Sequence, residues 1–191
     1  NFLIQRANDS YAASDVAITA RFVGSMVVNY PDDTNDGLAL DSITPGRAGF
    51  NAAVFGGVET QRTAFGADIV GFLRNGSSFG GSGVAWVPKT PTSNLMYNTV
   101  QGCVASCESV WIHEAGHNMG LMHDRATVAW QAGGAAEPLG SSNQGAYPYS
   151  FGYAFCKTQA LSCNPNTPGG CASQPECSTN DPSNFSEIMA Y

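Results

Sequence analysis

The histidines of this 191-residue chain constrain its fold more than any other feature, because all three, His113, His117 and His123, lie within eleven residues. Residues four apart share one face of an α-helix, with Cβ atoms about 5 to 6 Å apart, so His113 and His117 predict a helix that presents two imidazoles to one metal ion. On an unbroken helix, His123 would lie roughly 15 Å beyond His113 along the axis. The helix must therefore end before His123, and Gly120 is the expected left-handed cap.

The three imidazoles predict a catalytic zinc site, because three protein ligands leave one coordination position for water. Glu114 follows the first ligand and would address that open side. It is expected to accept the proton of the attacking water and pass it to the leaving amine, while zinc acidifies the water and polarises the scissile carbonyl. A coincidental helix and an inert zinc clip are the two alternatives at this point.

The first two thirds of the chain predict helices interleaved with strands, which is an α/β arrangement. The predicted helices cover residues 1–13 and 52–65, the second ending at Gly66. The predicted strands cover residues 16–28, residues 67–73 as a buried strand, and residues 84–87 as a short strand that Pro88 ends at a sheet edge. From Arg125 onward, Gly, Pro, Ser, Asn and Cys predict an irregular lobe. We expect one catalytic domain over residues 1–191, with an upper lobe of about 1–123 and a lower lobe of about 124–191.

Residues 30–37 form an acidic stretch with the spacing Asp32-x-Thr34-x-Asp36-Gly37. That spacing hints at a calcium loop, but the twelfth position is Ile43 rather than a bidentate glutamate. We therefore predict a solvated loop here and find no adequate set of calcium ligands elsewhere.

The composition argues against nucleic acid and membranes as partners of this chain. Eight basic against fifteen acidic residues give a net charge of -7, and no basic run suits nucleic acid or an anionic membrane. No apolar stretch approaches the eighteen or so residues that a membrane span needs. The chain begins at Asn1 without a leader, which predicts a processed or excised segment.

Six cysteines predict disulfides and hence an oxidising, extracellular compartment. Four lie in polar, loop-like sequence, at Cys156, Cys163, Cys171 and Cys177. Cys103 and Cys107 precede the predicted zinc helix, and their spacing suits one local bridge or two separate ones. The pairing cannot be read from the sequence.

The histidine motif resembles the zinc signature of the metzincin endopeptidases, and Asp124 after the third histidine resembles the adamalysin/reprolysin branch. About 65 residues later, Ile188-Met189-Ala190-Tyr191 resembles the metzincin Met-turn. Shorter segments, among them residues 65–70 and 83–87, resemble reprolysin-like bacterial secreted proteases. The resemblance implies a twisted mixed sheet with helices above a zinc cleft and a smaller irregular lower lobe.

The resemblance also implies roles for residues around the zinc. Met189 would be a packing floor rather than a ligand, and Asp124 a structural anchor hydrogen-bonded near the Met-turn. The backbone of an edge strand would bind an extended peptide by strand addition, and the residues concerned are Gly83, Val84, Ala85 and Trp86. The alternative is an edge protected by Pro88 and Lys89, with Trp86 packed in the core.

Two departures from the family pattern accompany the resemblance. Adamalysins have proline at the position of Tyr191, whereas astacins and serralysins have tyrosine there. The resemblance to those two families implies that Tyr191 is a fifth zinc ligand or contacts the transition state. The alternative is that Tyr191 only packs against the specificity pocket. Family members have a strand before the first helix and a helix after the Met-turn, so we expect a fragment of a longer chain. An upstream inhibitory propeptide is implied, and calcium binding is implied by family analogy alone.

The sequence thus predicts a secreted zinc endopeptidase that cleaves internal bonds of protein or peptide substrates. One alternative is a catalytically silent binding module that keeps the fold and the zinc, against which the retention of Glu114 speaks. Another is a zinc hydrolase of a non-protein amide, which would use the same site.

Overall fold

A computed structural model describes residues 2–75, 83–90, 92–101, 107–134, 139–155, 183, 185–186 and 188–189. Two compact units divide the chain, one formed by residues 1–86 and 92–118 and the other by residues 87–91 and 119–191. Helices and a small mixed sheet confirm the predicted α/β class. Tyr191, Cys103 and the four cysteines from Cys156 to Cys177 lie outside the described residues.

Two helices of the first unit begin at asparagine caps. Asn35 caps one helix by accepting from the backbone N–H groups of Gly37 and Leu38, and Asn51 caps the next by accepting from that of Val54. Gly66 ends the latter helix with φ 60°, so the predicted helix over residues 52–65 is confirmed, as is the first helix. The helices are α1 (Phe2–Ala13), α2 (Asp36–Ile43), α3 (Ala52–Phe65) and α4 (Glu108–Asn118).

A three-stranded sheet lies in the same unit, built from β1 (Val70–Arg74), β2 (Gly83–Ala85) and β3 (Tyr97–Gln101). The order is β1-β3-β2, with β3 parallel to β1 and antiparallel to β2. β2 therefore lies at an edge of the described sheet, where the sequence predicted an edge strand. β1 starts three residues later than predicted, and its residues alternate in exposure instead of being buried throughout.

The two faces of the sheet pack against different helices. On one face, Tyr97 joins Leu40, Ile43 and Phe55 of α2 and α3 in a hydrophobic core. On the other face, Gly71 and Gly83 leave room for α4, since a Cβ at these positions would lie 2.7 Å from Trp111 Nε1 and 2.8 Å from Glu114 Cγ respectively. The sheet thereby supports the helix that carries two of the histidines.

The predicted strand over residues 16–28 is wrong, because no residue of that segment pairs in a sheet within the described part of the chain. The Asn8 side chain bonds the backbone of Ala20 instead, accepting from its N–H at 2.7 Å and donating to its carbonyl at 3.0 Å. Val27 is 99% exposed. Apolar alternation alone does not make a strand when a side chain satisfies the backbone.

The predicted solvated loop at residues 30–37 is wrong at its end, because Asp36 is buried and begins α2. Arg74 Nη1 pairs with its carboxylate at 2.7 Å, and Gln101 donates to the same oxygen. Arg74 Nη2 donates to the backbone carbonyls of Pro31, Asp32 and Thr34. A guanidinium therefore binds the Asp36 carboxylate and three backbone carbonyls of this loop.

The second unit contains a helix that the sequence analysis missed, α5 (Arg125–Gln131), within the lobe predicted to be irregular. Asp124 caps it, and its inner face buries Ala126, Val128 and Ala129 against Leu139. A short antiparallel pair of strands, β4 (Ala154–Phe155) and β5 (Phe185–Ser186), lies in the same unit. No helix in the described part of the chain is long and apolar enough to cross a bilayer.

Candidate metal centre

The helix that carries His113 and His117 ends where the histidine spacing requires. α4 ends at Asn118, and Gly120 has φ 89°, so the predicted left-handed turn is confirmed. The Gly120 carbonyl accepts from the Ala146 N–H at 2.8 Å. A Cβ at Gly120 would lie 2.5 Å from Ala146 Cβ, so both the backbone angle and the space demand glycine.

This turn brings the three histidines together. One ligand atom from each of His113, His117 and His123 lies within 4.8 Å of the others. The rings of His113 and His117 are nearly perpendicular, with centroids 4.7 Å apart. Three imidazoles without a carboxylate or thiolate in the set are the donors of a catalytic zinc site, so the chemistry of these residues fits zinc.

A neighbour on α5 orients the third histidine. His123 Nδ1 lies 3.0 Å from Gln131 Oε1. An amide oxygen only accepts hydrogen bonds, so Nδ1 carries the proton and the lone pair lies on Nε2, the nitrogen that would bind a metal. Burial lowers the pKa of His123, against smaller opposing effects of Gln131 and Asp124, which favours the neutral ligand form.

Gln131 is a site residue that the sequence analysis missed. It lies eight positions after His123 on a helix that was not predicted, and no motif marks it. The contact between His123 and Gln131 depends on the turn at Gly120 and on where α5 begins. Neither feature identifies Gln131 as the partner of His123 from the sequence alone.

Glu114 is a buried carboxyl group, 4% exposed. Burial raises its pKa to about 8, and the negative charge of Asp36 adds to the rise. Its Oε2 has no hydrogen-bond partner among the described residues. A buried polar atom without a partner is unfavourable in a merely structural role, which makes Glu114 a candidate for a group that acts on a bound molecule.

Two residues that the resemblance placed near the zinc have structural contacts. Asp124 caps α5, where it accepts from the Thr127 N–H at 3.0 Å and from the Thr127 hydroxyl at 2.6 Å. Met189 is buried, and a Cβ at Gly152 would lie 2.7 Å from its carbonyl group. A bond from Asp124 to the Met-turn, a position of Met189 beneath the zinc and the role of Tyr191 stay predictions.

Residues Gly83 to Trp86, which we call the substrate edge, form β2 and its continuation. The Trp86 N–H donates to the Tyr97 carbonyl at 3.5 Å. Antiparallel ladders alternate every residue, so the backbone groups of Gly83 and Ala85 point away from β3. The Trp86 side chain packs in the core, with its Nε1 donating to Thr44 at 2.9 Å.

Comparison with known proteins places these residues in a family context. The family model described as metallo-peptidase family M12B reprolysin-like matches residues 1–191. Three chains of solved structures match, one of them from "Structure of a chaperone-substrate complex", at 27% identity and a TM-score of 0.50 over 78% of this chain. The match covers 24% of that chain. No curated protein matches.

Proposed function

Since this chain belongs to the M12B reprolysin-like metallopeptidases, we propose that it is a secreted zinc endopeptidase in which Glu114 is the general base. The observation that carries the proposal is the convergence of three histidine ligand atoms within 4.8 Å next to a buried glutamate. Within the described part of the chain, one oxygen of that glutamate has no hydrogen-bond partner. Together they supply a metal donor set and a proton acceptor.

His113, His117 and His123 would hold the zinc. When bound, zinc supplies Lewis-acid polarisation of the scissile carbonyl and a more acidic water. Glu114 accepts the proton of the attacking water on Oε2 and delivers it to the leaving nitrogen. Burial excludes bulk water around this carboxyl group and raises its pKa to about 8 in the metal-free protein. The positive charge of a bound metal would favour the ionised carboxylate, which is the form that accepts a proton.

The substrate edge supports cleavage within extended peptides. Gly83 and Ala85 offer backbone N–H and carbonyl groups to an added strand, so affinity would come from main-chain bonds. The same edge contacts the general base, because a Cβ at Gly83 would lie 2.8 Å from Glu114 Oε1. A peptide bound along this edge therefore passes next to the carboxyl group that moves the proton.

Secretion and an inhibitory propeptide are parts of the proposal that follow from chemistry and from the family. The chain has six cysteines, and Cys107 is buried and takes part in a disulfide. Disulfides persist in oxidising compartments. An extracellular protease needs restraint before export, for which an upstream propeptide is the family's solution.

The test compares zinc-loaded wild-type protein with Glu114→Gln on casein and on a mixture of peptides. We expect wild-type cleavage that a chelator stops and zinc restores, and a loss of about 10²- to 10⁴-fold in Glu114→Gln with its zinc retained. Glu59→Gln, on α3 away from the histidines, is the matched control and should stay active. Full activity of Glu114→Gln would refute its role.

The same assay separates the two alternatives. A silent binding module would bind peptides in the zinc-loaded state without cutting any of them. A hydrolase of non-protein amides would be inactive on every protein and peptide but would cleave small amides in a zinc-dependent way.

A further inference from the structure

Asn118 is a fully buried polar residue beside the metal centre that the proposed mechanism does not use. It is the last residue of α4, directly after His117, and it is 0% exposed. A primary amide is unfavourable in the interior unless its hydrogen-bonding groups are satisfied. Its partners therefore reveal what holds it there.

The Asn118 amide group bonds to the backbone just after β2 and around the start of β3. Its Nδ2 donates to the carbonyl oxygens of Trp86 at 3.1 Å, Leu95 at 3.1 Å and Tyr97 at 2.9 Å. Its Oδ1 accepts from Asn98 Nδ2 at 2.9 Å. Two hydrogens thus serve three acceptors, and a flipped amide would face an oxygen toward three carbonyl oxygens. The network admits one orientation.

These bonds reinforce the ladder at a point where its backbone bond is long. Trp86 follows β2 and Tyr97 begins β3, and the backbone bond between them measures 3.5 Å, beyond the usual hydrogen-bond distance. The Asn118 side chain bonds to the carbonyls of both residues at shorter distances. The end of the zinc helix, more than the ladder itself, holds the substrate edge at this point.

We propose that Asn118 is a positioning residue that fixes the substrate edge relative to the helix carrying His113, Glu114 and His117. The inference rests on the proposed function and adds a determinant of substrate placement to it. A residue that served stability alone would affect cleavage of every substrate equally. Because the three acceptors lie in the segments around the edge, Asn118 fixes the distance from peptide backbone to general base.

The consequence is specific to substrates that use the edge. Reaction requires the scissile bond within a narrow range of positions, and a shift on the order of 1 Å costs about 10²-fold in rate. Asn118→Leu keeps a similar volume but removes every donor. We expect its kcat on a long peptide to fall about 10²-fold, with a smaller change in KM. A short peptide around the same bond, too short to pair along the edge, should change within about threefold.

Phe55→Leu is the matched control, because Phe55 is 1% exposed and belongs to the hydrophobic core that Val84 and Trp86 pack against. It lowers stability without removing any of the hydrogen bonds that Asn118 makes. Its ratio of long-peptide to short-peptide kcat should equal that of the wild type. Amide hydrogen exchange is the second readout and should accelerate at residues 84–86 in Asn118→Leu but not in Phe55→Leu.

The experiment measures kcat, KM and zinc content for the three proteins on both peptides. A selective loss on the long peptide in Asn118→Leu, with one zinc retained, supports the inference. Equal losses on both peptides, or a ratio equal to that of Phe55→Leu, overturn it. Wild-type protein that cuts neither peptide contradicts the proposed function itself, which is a distinguishable outcome.

If Asn118→Leu does not fold, Asn98→Ala replaces it. That variant removes the donor to Asn118 Oδ1 and leaves that buried oxygen without this bond, which weakens the network while the bonds of Nδ2 remain. A smaller loss of the same selectivity supports the inference, and a wild-type ratio overturns it.

Discussion

Gly83 lies where the substrate edge meets Glu114, the proposed general base, and a single methyl group tests that contact. In Gly83→Ala the added Cβ would lie 2.8 Å from both Glu114 Cγ and Glu114 Oε1, and 2.9 Å from the Thr99 carbonyl oxygen. Ordinary contact begins at 3.4 Å. The carboxyl group or the strand must therefore move by about 0.6 Å, because dispersion contacts closer than that become repulsive.

A displacement of this size decides the expected loss of activity. Since about 1 Å costs on the order of 10²-fold, we expect kcat/KM to fall about 10- to 100-fold. That range corresponds to about 1.4 to 2.7 kcal/mol of activation free energy. The histidines are untouched, so zinc binding should remain at the wild-type stoichiometry.

The assay is peptide hydrolysis with zinc content measured on the same samples. Gly56→Ala is the matched control, because a Cβ there meets nothing within 4 Å and the residue lies inside helix α3. That variant should be fully active and more stable by about 0.5 to 1 kcal/mol. A kcat/KM of Gly83→Ala equal to the wild type, with zinc bound, would refute the contact between the edge and Glu114.

Three further predictions concern the turn, the third histidine and the core. Gly120→Ala should lose about 2 kcal/mol or more of unfolding free energy in urea, from the left-handed backbone and the contact with Ala146, and an unchanged midpoint would contradict this. Gln131→Ala should bind zinc about 10- to 100-fold more weakly in chelator competition, and equal affinity would exclude the orienting bond to His123. Burial raises the pKa of Tyr97 to about 12, above its unfolded value of about 10, so its stabilisation is complete below pH 10 and is lost as the pH rises toward 12. Tyr97→Phe should therefore flatten the fall in unfolding free energy over that range, and a persistent slope would contradict the assignment.

The metal site was predictable because helix geometry determines it. The spacing of His113 and His117 places both side chains on one face of a helix. On the same helix His123 would lie too far away to share their metal ion, so the chain must turn before it, and Gly120 is the residue that allows the turn. Both follow from local rules that hold in any surroundings. The structure adds what spacing cannot contain, such as Gln131 and Asn118.

The sheet was less predictable because its determinants are long-range. β3 has no apolar alternation, since Asn98, Thr99 and Gln101 are polar yet buried. Gln101 finds its partner in Asp36, 65 residues earlier, and Asn98 finds its partner in Asn118. Such pairs exist only once the chain has folded. Residues 16–28 show the converse, an alternating pattern whose backbone bonds to a side chain of α1.

The most direct test is a titration of zinc into the metal-free protein with peptide hydrolysis measured at every point. Activity should rise linearly and stop at one zinc per chain, and Glu114→Gln should bind the same single zinc without gaining activity. Saturation with zinc that leaves the wild-type protein inactive on all peptides would contradict the proposal that this chain is a zinc endopeptidase.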